Sequence, residues 1–257
     1  MLSVAVQLCK ALVDVAAQSM QGNDGVGSLH TTLVCCELSQ LLIQGMLPRD
    51  SLLYQIPYLT TSIIDQCAKV TITDDEGNAS AVDSVLDILD MEDDVRESCL
   101  ASVLPHMSEI ASFCNGYPSM SLKYDIKHPK GQTSISAGDT FSLTVHAERD
   151  QDEDSDEEEE EEEAEVGDNA NTPPVLSRFP VPHQEEWWLI IGDVKNDKLM
   201  GIKRLQIPKK GAVKKKLKIT VPDNAGGSDG GFQLKMYLVC DSYRGCDEER
   251  DVLIPLQ

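Results

Sequence analysis

The sequence contains no long hydrophobic run and few aromatic side chains, which make up 5% of its 257 residues. Its longest apolar stretches, such as Trp187–Gly192, fall far below the roughly 18 residues that a membrane-spanning helix needs. Residues Met1–Lys10 have no basic segment ahead of their apolar residues and no small-residue cleavage site. They therefore do not resemble a signal peptide, and we expect no membrane span.

The common catalytic signatures are also missing. The sequence has no G-x-x-x-x-G-K-[ST] phosphate loop, no G-x-S-x-G elbow and no H-E-x-x-H motif. A glycine-rich segment at 226–231 lies between two predicted strands, without the following helix that would hold a phosphate, so it is interpreted as a hairpin loop. His106 and His183 each stand alone and are interpreted as surface or loop residues. We expect no catalytic residue, metal or cofactor in this chain.

The eight cysteines include no C-x-x-C pair, and most lie within apolar helical patterns. Free cysteine in such a pattern behaves as a small hydrophobic residue. Cys35 and Cys36 have no neighbouring cation to lower the pKa of a thiol, so core packing is favoured over nucleophilic chemistry. This usage disfavours a zinc site and a disulfide framework, and it indicates a reducing compartment.

Acidic residues are concentrated in one segment. The formal net charge is −22, but 14 carboxylates lie between Asp150 and Asp168, and the rest of the chain would carry only −8. We expect a disordered acidic insert at 150–175, because such a run is too polar and too repulsive to fold. It is either a solubilising insertion or a segment that mimics nucleic acid or binds a basic partner. Ser155, followed by acidic residues, is a candidate phosphorylation site.

Basic residues are concentrated between Lys195 and Lys218, on two predicted strands and their turn, where they would form a basic stripe. Such a stripe could contact phosphates, or be screened by the acidic insert. No aromatic side chains are interleaved for base stacking, so only a weak contact with RNA is expected. The candidate contacts for a partner or RNA are Lys203, Arg204, Lys209, Lys210, Lys214, Lys215 and Lys216.

The hydrophobic period predicts helices first and strands afterwards. Residues 1–70 read as a partial helical bundle and 80–117 as a helix-loop-helix module, separated by a polar loop at 71–79. The predicted helices are Leu2–Met20, Leu29–Met46, Thr60–Ala68, Ala81–Leu89, Glu92–Val103 and Pro105–Asn115.

After Gly116 the pattern alternates with a period of two, which is typical of half-buried strands. Residues 118–257 therefore predict an antiparallel β-sandwich. Trp187 and Trp188 should point to opposite faces of their strand, one between the sheets and the other outward or under a loop. Both are predicted to be structural residues of the core. The predicted strands are Ser119–Lys127, Thr140–His146, Glu186–Ile191, Leu199–Ile207, Val213–Val221, Phe232–Cys240 and Arg250–Leu256.

Several short motifs resemble one known family and occur in its order. In this chain they are ELSQ (37–40), QGM (44–46), QIPY (55–58), FCNGYP (113–118), WWLIIGD (187–193), LMGIKRL (199–205) and DSYRGCD (241–247). On these residues the chain is identified as a member of the Sec63 homology units, closest to the C-terminal units of large Ski-two-like spliceosomal RNA helicases. The resemblance covers nearly the whole chain apart from the acidic insert and residues 71–79.

The resemblance implies an α+β multidomain fold: an N-terminal all-α helical bundle and helix-loop-helix module, followed by an immunoglobulin- or fibronectin-like β-sandwich. It implies that the motor domains with the ATP site lie upstream, so that this chain alone is not an enzyme. The implied role is a non-catalytic scaffold and protein-docking unit in pre-mRNA splicing. The implied partners are the helicase motor domains and other splicing proteins, and the implied location is the nucleus.

A second assignment remains open at this stage. Sec63 homology units also occur as the cytosolic unit of the endoplasmic-reticulum protein-import component. The segment GDVKND at 192–197, with its spacing to Lys203 and Arg204, favours the helicase unit.

Overall fold

The computed structural model describes residues 2–18, 27–73, 77, 79–128, 134–150, 172–223 and 231–256. Within these ranges the order of elements runs from helices to strands. The α+β class predicted from the period change is confirmed, since helices precede antiparallel sheets.

Two long helices begin the described chain. Helix α1 spans Leu2–Gln18 and helix α2 spans Leu29–Gln44. Ser28 caps α2 by accepting a hydrogen bond from the backbone N–H of Thr31, and Gly45 ends the helix in the left-handed conformation. Both helix ends thus follow from local sequence.

Short helices form the next part of the chain. A 3₁₀ turn at Leu52–Gln55 precedes α3 (Thr61–Cys67), and a small hairpin of β1 (Thr71–Thr73) and β2 (Ala79–Ala81) follows. The remaining elements are α4 (Val85–Asp90), α5 (Asp93–Cys99), a second 3₁₀ turn (Ala101–His106) and α6 (Met107–Gly116).

Seven strands form two antiparallel sheets. One sheet has three strands in the order β3-β4-β7, and the other has four in the order β6-β5-β8-β9. Buried side chains from both sheets form one apolar core, which also includes residues of the short helices. The strands are β3 (Met120–Lys127), β4 (Thr140–Arg149), β5 (Trp187–Asp193), β6 (Lys198–Leu205), β7 (Ala212–Thr220), β8 (Gly231–Cys240) and β9 (Glu248–Pro255).

The long helices pack on the other face of the four-stranded sheet. A second apolar cluster joins Val13 of α1 and Leu29 of α2 to Trp188 and Ile190 of β5. The contact is close, because a Cβ added at Gly192 would lie 2.4 Å from a methyl carbon of Leu29. A glycine in β5 therefore lets α2 approach the strand backbone.

The N-terminus of α2 is tied to the turn between β5 and β6. The carboxylate of Asp197 accepts hydrogen bonds from the His30 backbone N–H at 2.7 Å and from the Ser28 hydroxyl at 2.7 Å. These donors lower the pKa of Asp197. A negative group at a helix N-terminus also interacts favourably with the helix dipole.

Three sequence predictions about this region were wrong. Within the predicted loop at 71–79, residues 71–73 form β1, which pairs antiparallel with β2 beginning at residue 79. The helix predicted from Ala81 begins only at Val85, where Ser84 and Asp87 form a capping box. The helix predicted at 92–103 ends at Cys99 and continues as 3₁₀ turns, since Pro105 removes a backbone donor.

Part of the predicted acidic insert is described. Residues 172–175 make backbone contacts, including a hydrogen bond from the Val175 N–H to the His183 carbonyl at 2.9 Å. Residues 151–171, with Ser155, lie outside the described residues, as does 224–230 in the predicted glycine-rich loop.

A buried junction and charged surfaces as the candidate functional site

The helices and the two sheets meet at one loop, Asp241–Asp247, which we call the junction loop. It connects β8 to β9 and is largely buried. Gly245 has a φ of +85°, which favours glycine, and a Cβ there would lie 2.7 Å from a methyl carbon of Leu52. This position therefore accepts no larger side chain without a shift of the 3₁₀ turn that contacts it.

Helix α2 contacts the junction loop through three polar side chains. The Gln40 amide donates hydrogen bonds to the Cys240 carbonyl at 2.8 Å and to the Asp247 carboxylate at 3.0 Å. Gln44 donates to the Ser242 carbonyl at 2.9 Å. Glu37 forms an ion pair with Arg244 at 3.2 Å. The hydrogen bonds donated by these two buried amides fix the helix to the loop in one register, although Gln44 Oε1 has no hydrogen-bond partner among the described residues.

The short helices hold the same loop from another side. Gln55 donates to the Arg244 carbonyl at 2.9 Å and accepts from the Arg244 backbone N–H at 2.8 Å. The Tyr117 hydroxyl also donates to the Arg244 carbonyl, at 2.6 Å. Phe113 and Tyr117 pack edge-on against Tyr243, with ring centroids 6.0 and 5.5 Å away. Helix α2, the 3₁₀ turn at 52–55 and the end of α6 therefore contact the same loop between β8 and β9.

A charged cluster links α1 to the start of the junction loop. Lys10 lies 2.8 Å from Asp241 and 2.6 Å from Glu186, and Arg204 pairs with the same Glu186. Burial alone would raise the pKa of Asp241, but the hydrogen bond from His183 and the charge of Lys10 lower it. Asp241 is therefore a buried carboxylate with a compensating cation.

The interpretation of His183 as an ordinary loop residue was wrong. Its Nε2 lies 3.1 Å from a carboxylate oxygen of the fully buried Asp241. The pairing spans 58 residues, so no local spacing in the sequence could indicate it. His106, in contrast, stacks on Tyr58 with ring centroids 3.9 Å apart.

Asp247, at the end of the junction loop, titrates differently. The residue as a whole is exposed, but its carboxyl group faces Gln40 and the Cys240 backbone N–H. Loss of solvent around the carboxyl group raises its pKa from 3.8 to about 7, against the opposing effect of these two hydrogen-bond donors. Between these two values the folded chain holds a proton that the unfolded chain has released. The free energy of unfolding therefore falls as pH rises from about 4 to about 7.

We expect Asp247→Asn to flatten this pH dependence. The asparagine side chain does not ionise, so the fall in the free energy of unfolding between pH 5 and pH 8 should be lost. Because Asp247 is exposed and solvent screens its charge, this fall is expected to be about 1 kcal/mol or less. Urea unfolding of both proteins at several pH values measures the difference. Parallel pH profiles for the parent chain and the variant would contradict the assignment of this slope to Asp247.

The two tryptophans lie on opposite sides of β5. Trp187 is fully buried in the core shared by the sheets, and its indole N–H donates to Glu185 at 2.5 Å. Glu185 also pairs with Arg149, although burial raises its pKa. Trp188 is covered by helices α1 and α2 rather than by a loop. The predicted alternation is confirmed, and the cover of the outer tryptophan was not foreseen.

The structure divides the predicted basic stripe. β6 and β7 are consecutive in sequence but belong to different sheets. Arg204 lies beside the helices and stacks over Trp188 with its guanidinium carbon 5.3 Å from the ring centroid. Lys203 and Lys215 lie on the sides of their strands that face the shared core, opposite Leu189 and Val145.

The other candidate cations lie in the β6–β7 turn and on β7. Lys209 and Lys210 are exposed in the turn between β6 and β7. Lys214 and Lys216 alternate with inward-facing residues of β7 and therefore point to the outer face of the three-stranded sheet. Lys218, outside the seven candidates, shares this face.

The described residues contain no group of three or more His, Cys, Asp or Glu side chains that could hold a metal ion. Likewise, no helix within the described ranges is long and apolar enough to cross a membrane. The eight cysteines are free thiols, and burial raises the pKa of those that are most enclosed, such as Cys36 and Cys246.

Comparison with known proteins gives one matching family over almost the entire chain. The model of the Sec63 Brl domain matches residues 1–253. Among solved structures, the CARDB domain of PF1109 from Pyrococcus furiosus is similar with a TM-score of 0.28 and 11% identity, covering 54% of this chain and 90% of that one.

Curated relatives are much longer proteins. The chain is 33% identical over 245 residues to the DExH-box ATP-dependent RNA helicase DExH13 of Arabidopsis thaliana. It is 32% identical over 248 residues to the U5 small nuclear ribonucleoprotein 200 kDa helicases of Mus musculus and Homo sapiens. These matches cover 95–96% of this chain and 10% of each relative, so the chain spans about a tenth of their length. Because the family model matches residues 1–253, the chain belongs to the Sec63 Brl domain family.

Proposed function

We propose that this chain is a non-catalytic C-terminal scaffold and protein-docking unit of a spliceosomal RNA helicase that acts in pre-mRNA splicing. The junction loop is the observation that carries the proposal. It joins α2, the 3₁₀ turn at 52–55 and the end of α6 to the sheets by buried hydrogen bonds. A body held together in this way presents fixed surfaces to neighbouring domains.

The relatives support the helicase assignment. The Arabidopsis, mouse and human proteins named above are helicases, and two of them are components of a small nuclear ribonucleoprotein by name. We therefore infer helicase motor domains and other splicing proteins as partners, and the nucleus as the location. The endoplasmic-reticulum import component has no comparable support among these named relatives.

The two sheets are proposed to form an immunoglobulin- or fibronectin-like sandwich. Their shared core supports this arrangement, because a Cβ added at Gly201 of β6 would lie 3.1 Å from side-chain carbons of Leu217 and Ile219 in β7. Strands β6 and β7 thus pack across the gap between the sheets. The docking surfaces would lie on the outer faces of this sandwich and on the helices.

Affinity capture from nuclear extract tests the docking role. The tagged chain is expected to enrich spliceosomal proteins. Trp187→Ala, which removes core packing, should lose this enrichment. If the folded chain enriches no splicing protein beyond the level of Trp187→Ala, the docking role is contradicted.

We also expect no ATP hydrolysis by this chain alone, because its sequence has no phosphate-binding loop. The measurement is phosphate release across gel-filtration fractions of the purified chain. Activity that follows the protein peak would overturn the non-catalytic assignment.

A further inference from the structure

The outer face of the three-stranded sheet, which we call the lysine face, carries an unusual set of side chains. The registers of β3 with β4 and of β4 with β7 define which residues share it. Apart from Ala212, every residue on it has a polar or charged side chain. Its members are Ser121, Lys123, Asp125, Lys127, Thr140, Ser142, Thr144, His146, Glu148, Ala212, Lys214, Lys216, Lys218 and Thr220.

The charge of the lysine face is positive, although the whole chain is acidic. Five lysines oppose two carboxylates, which gives a formal charge of about +3 with histidine neutral. Charges more than about 10 Å away are largely screened at 0.1 M salt, so this local balance decides what the face attracts.

Both carboxylates of the lysine face already have partners. Glu148 pairs with Lys123 at 3.0 Å, and Asp125 lies 3.5 Å from His146. Within the described part of the chain, Lys127, Lys216 and Lys218 are exposed and form no ion pair. The uncompensated charge therefore lies along β7 and at the end of β3.

The spacing of the unpaired β7 lysines suits a phosphate backbone. Outward-facing residues of a strand repeat about every 6.8 Å, so Lys216 and Lys218 lie about 7 Å apart. One strand of a duplex carries a phosphate about every 3.4 Å along its axis, so this separation matches about two nucleotides. Between the β7 and β3 lysines lie Ser142 and Thr144 of the central strand, and such hydroxyls also donate to phosphates.

The composition of the lysine face favours a nucleic acid over a protein partner. Protein interfaces are enriched in aromatic residues, methionine and arginine and are depleted in lysine. The face has no aromatic side chain other than His146, no methionine and no arginine. The lack of a stacking platform also indicates contact with the backbone rather than recognition of bases.

We propose that the lysine face binds the phosphate backbone of RNA through Lys127, Lys216 and Lys218, without reading base sequence. The choice of RNA rests on the proposed function, since the named relatives are RNA helicases. The face differs from the predicted basic stripe, because it excludes Lys203 and Arg204 and includes lysines of β3.

The test is binding of a labelled mixed-sequence single-stranded RNA to the full chain at 50–200 mM KCl. The double variant Lys216→Gln with Lys218→Gln should weaken binding about tenfold. The logarithm of the association constant falls with the logarithm of the salt concentration, and this fall should become less steep by about 1.4. The matched control is Lys69→Gln with Lys195→Gln, which removes two exposed lysines elsewhere and should change neither value appreciably. Lys216→Arg with Lys218→Arg should retain binding.

Three results would overturn the proposal: no salt-dependent binding at 50 mM KCl, equal losses for the face variant and its control, or displacement of RNA by polyglutamate at equal charge concentration. The last result would indicate an acidic peptide as the ligand. Melting temperatures equal to that of the parent chain show that both variants are folded. Because the assay uses purified chain and RNA only, its failure is distinct from a failure of capture in nuclear extract.

Discussion

Trp187→Ala is expected to lower the free energy of unfolding by about 3–5 kcal/mol. The indole is fully buried between the sheets, and its strand neighbours Leu205 and Cys240 are buried with it. Removing it leaves a cavity in a rigid core and takes one of two hydrogen-bond donors, the other being Arg149, from the buried Glu185 Oε1. Urea or thermal unfolding followed by far-ultraviolet circular dichroism measures the loss.

A matched control separates the effect of losing a buried side chain from the effect of shortening any large side chain. Leu253→Ala removes a large side chain from β9, but this side chain is 62% exposed, and a change within about 0.5 kcal/mol is expected. The placement of Trp187 in the core would be contradicted if the unfolding curves of both variants, Trp187→Ala and Leu253→Ala, coincided with that of the parent chain.

Gln40→Leu has the second largest expected effect, about 2–4 kcal/mol. Leucine fills a similar volume, but the Cys240 carbonyl and the Asp247 carboxylate lose their common donor. The loss should be larger at pH 8 than at pH 5, because the Gln40 hydrogen bonds favour the ionised form of Asp247. The measurement is urea unfolding at both pH values.

Gln7→Leu is the matched control for Gln40→Leu, since it makes the same change at an exposed position of α1. It should change the free energy of unfolding by no more than about 0.5 kcal/mol at either pH. A loss for Gln40→Leu that is equal to the control, or independent of pH, would mean that the junction hydrogen bonds do not stabilise the fold.

The elements that depend on local pattern could be predicted from sequence. The seven strands of the two larger sheets were all predicted, whereas β1 and β2 were missed. The opposite orientation of Trp187 and Trp188 follows from the pleat alone. Helix α2 begins and ends close to where its polar start and Gly45 indicate. Short helices were less predictable, because α4 and α5 have only six and seven residues and little room for a periodic pattern.

The candidate site depends on contacts between distant residues, and these could not be predicted. Gln40 and Asp247 are 207 residues apart, and Gln55 and Arg244 are 189 apart. A glutamine within an apolar helical pattern is a weak signal of a buried polar contact, and it does not identify the partner. The prediction of one basic stripe on two adjacent strands was wrong for a similar reason. Clustering of charge in the sequence does not show that β6 and β7 belong to different sheets.

The central claim is that helices and sheets form one rigid body through the junction loop. Both tryptophans lie on β5, so their fluorescence reports on the sheet, whereas circular dichroism at 222 nm is dominated by the helices. In a urea titration of the unmodified chain the two signals are expected to change in one coincident transition. Loss of the helical signal at a lower urea concentration, with tryptophan emission still native, would contradict the claim.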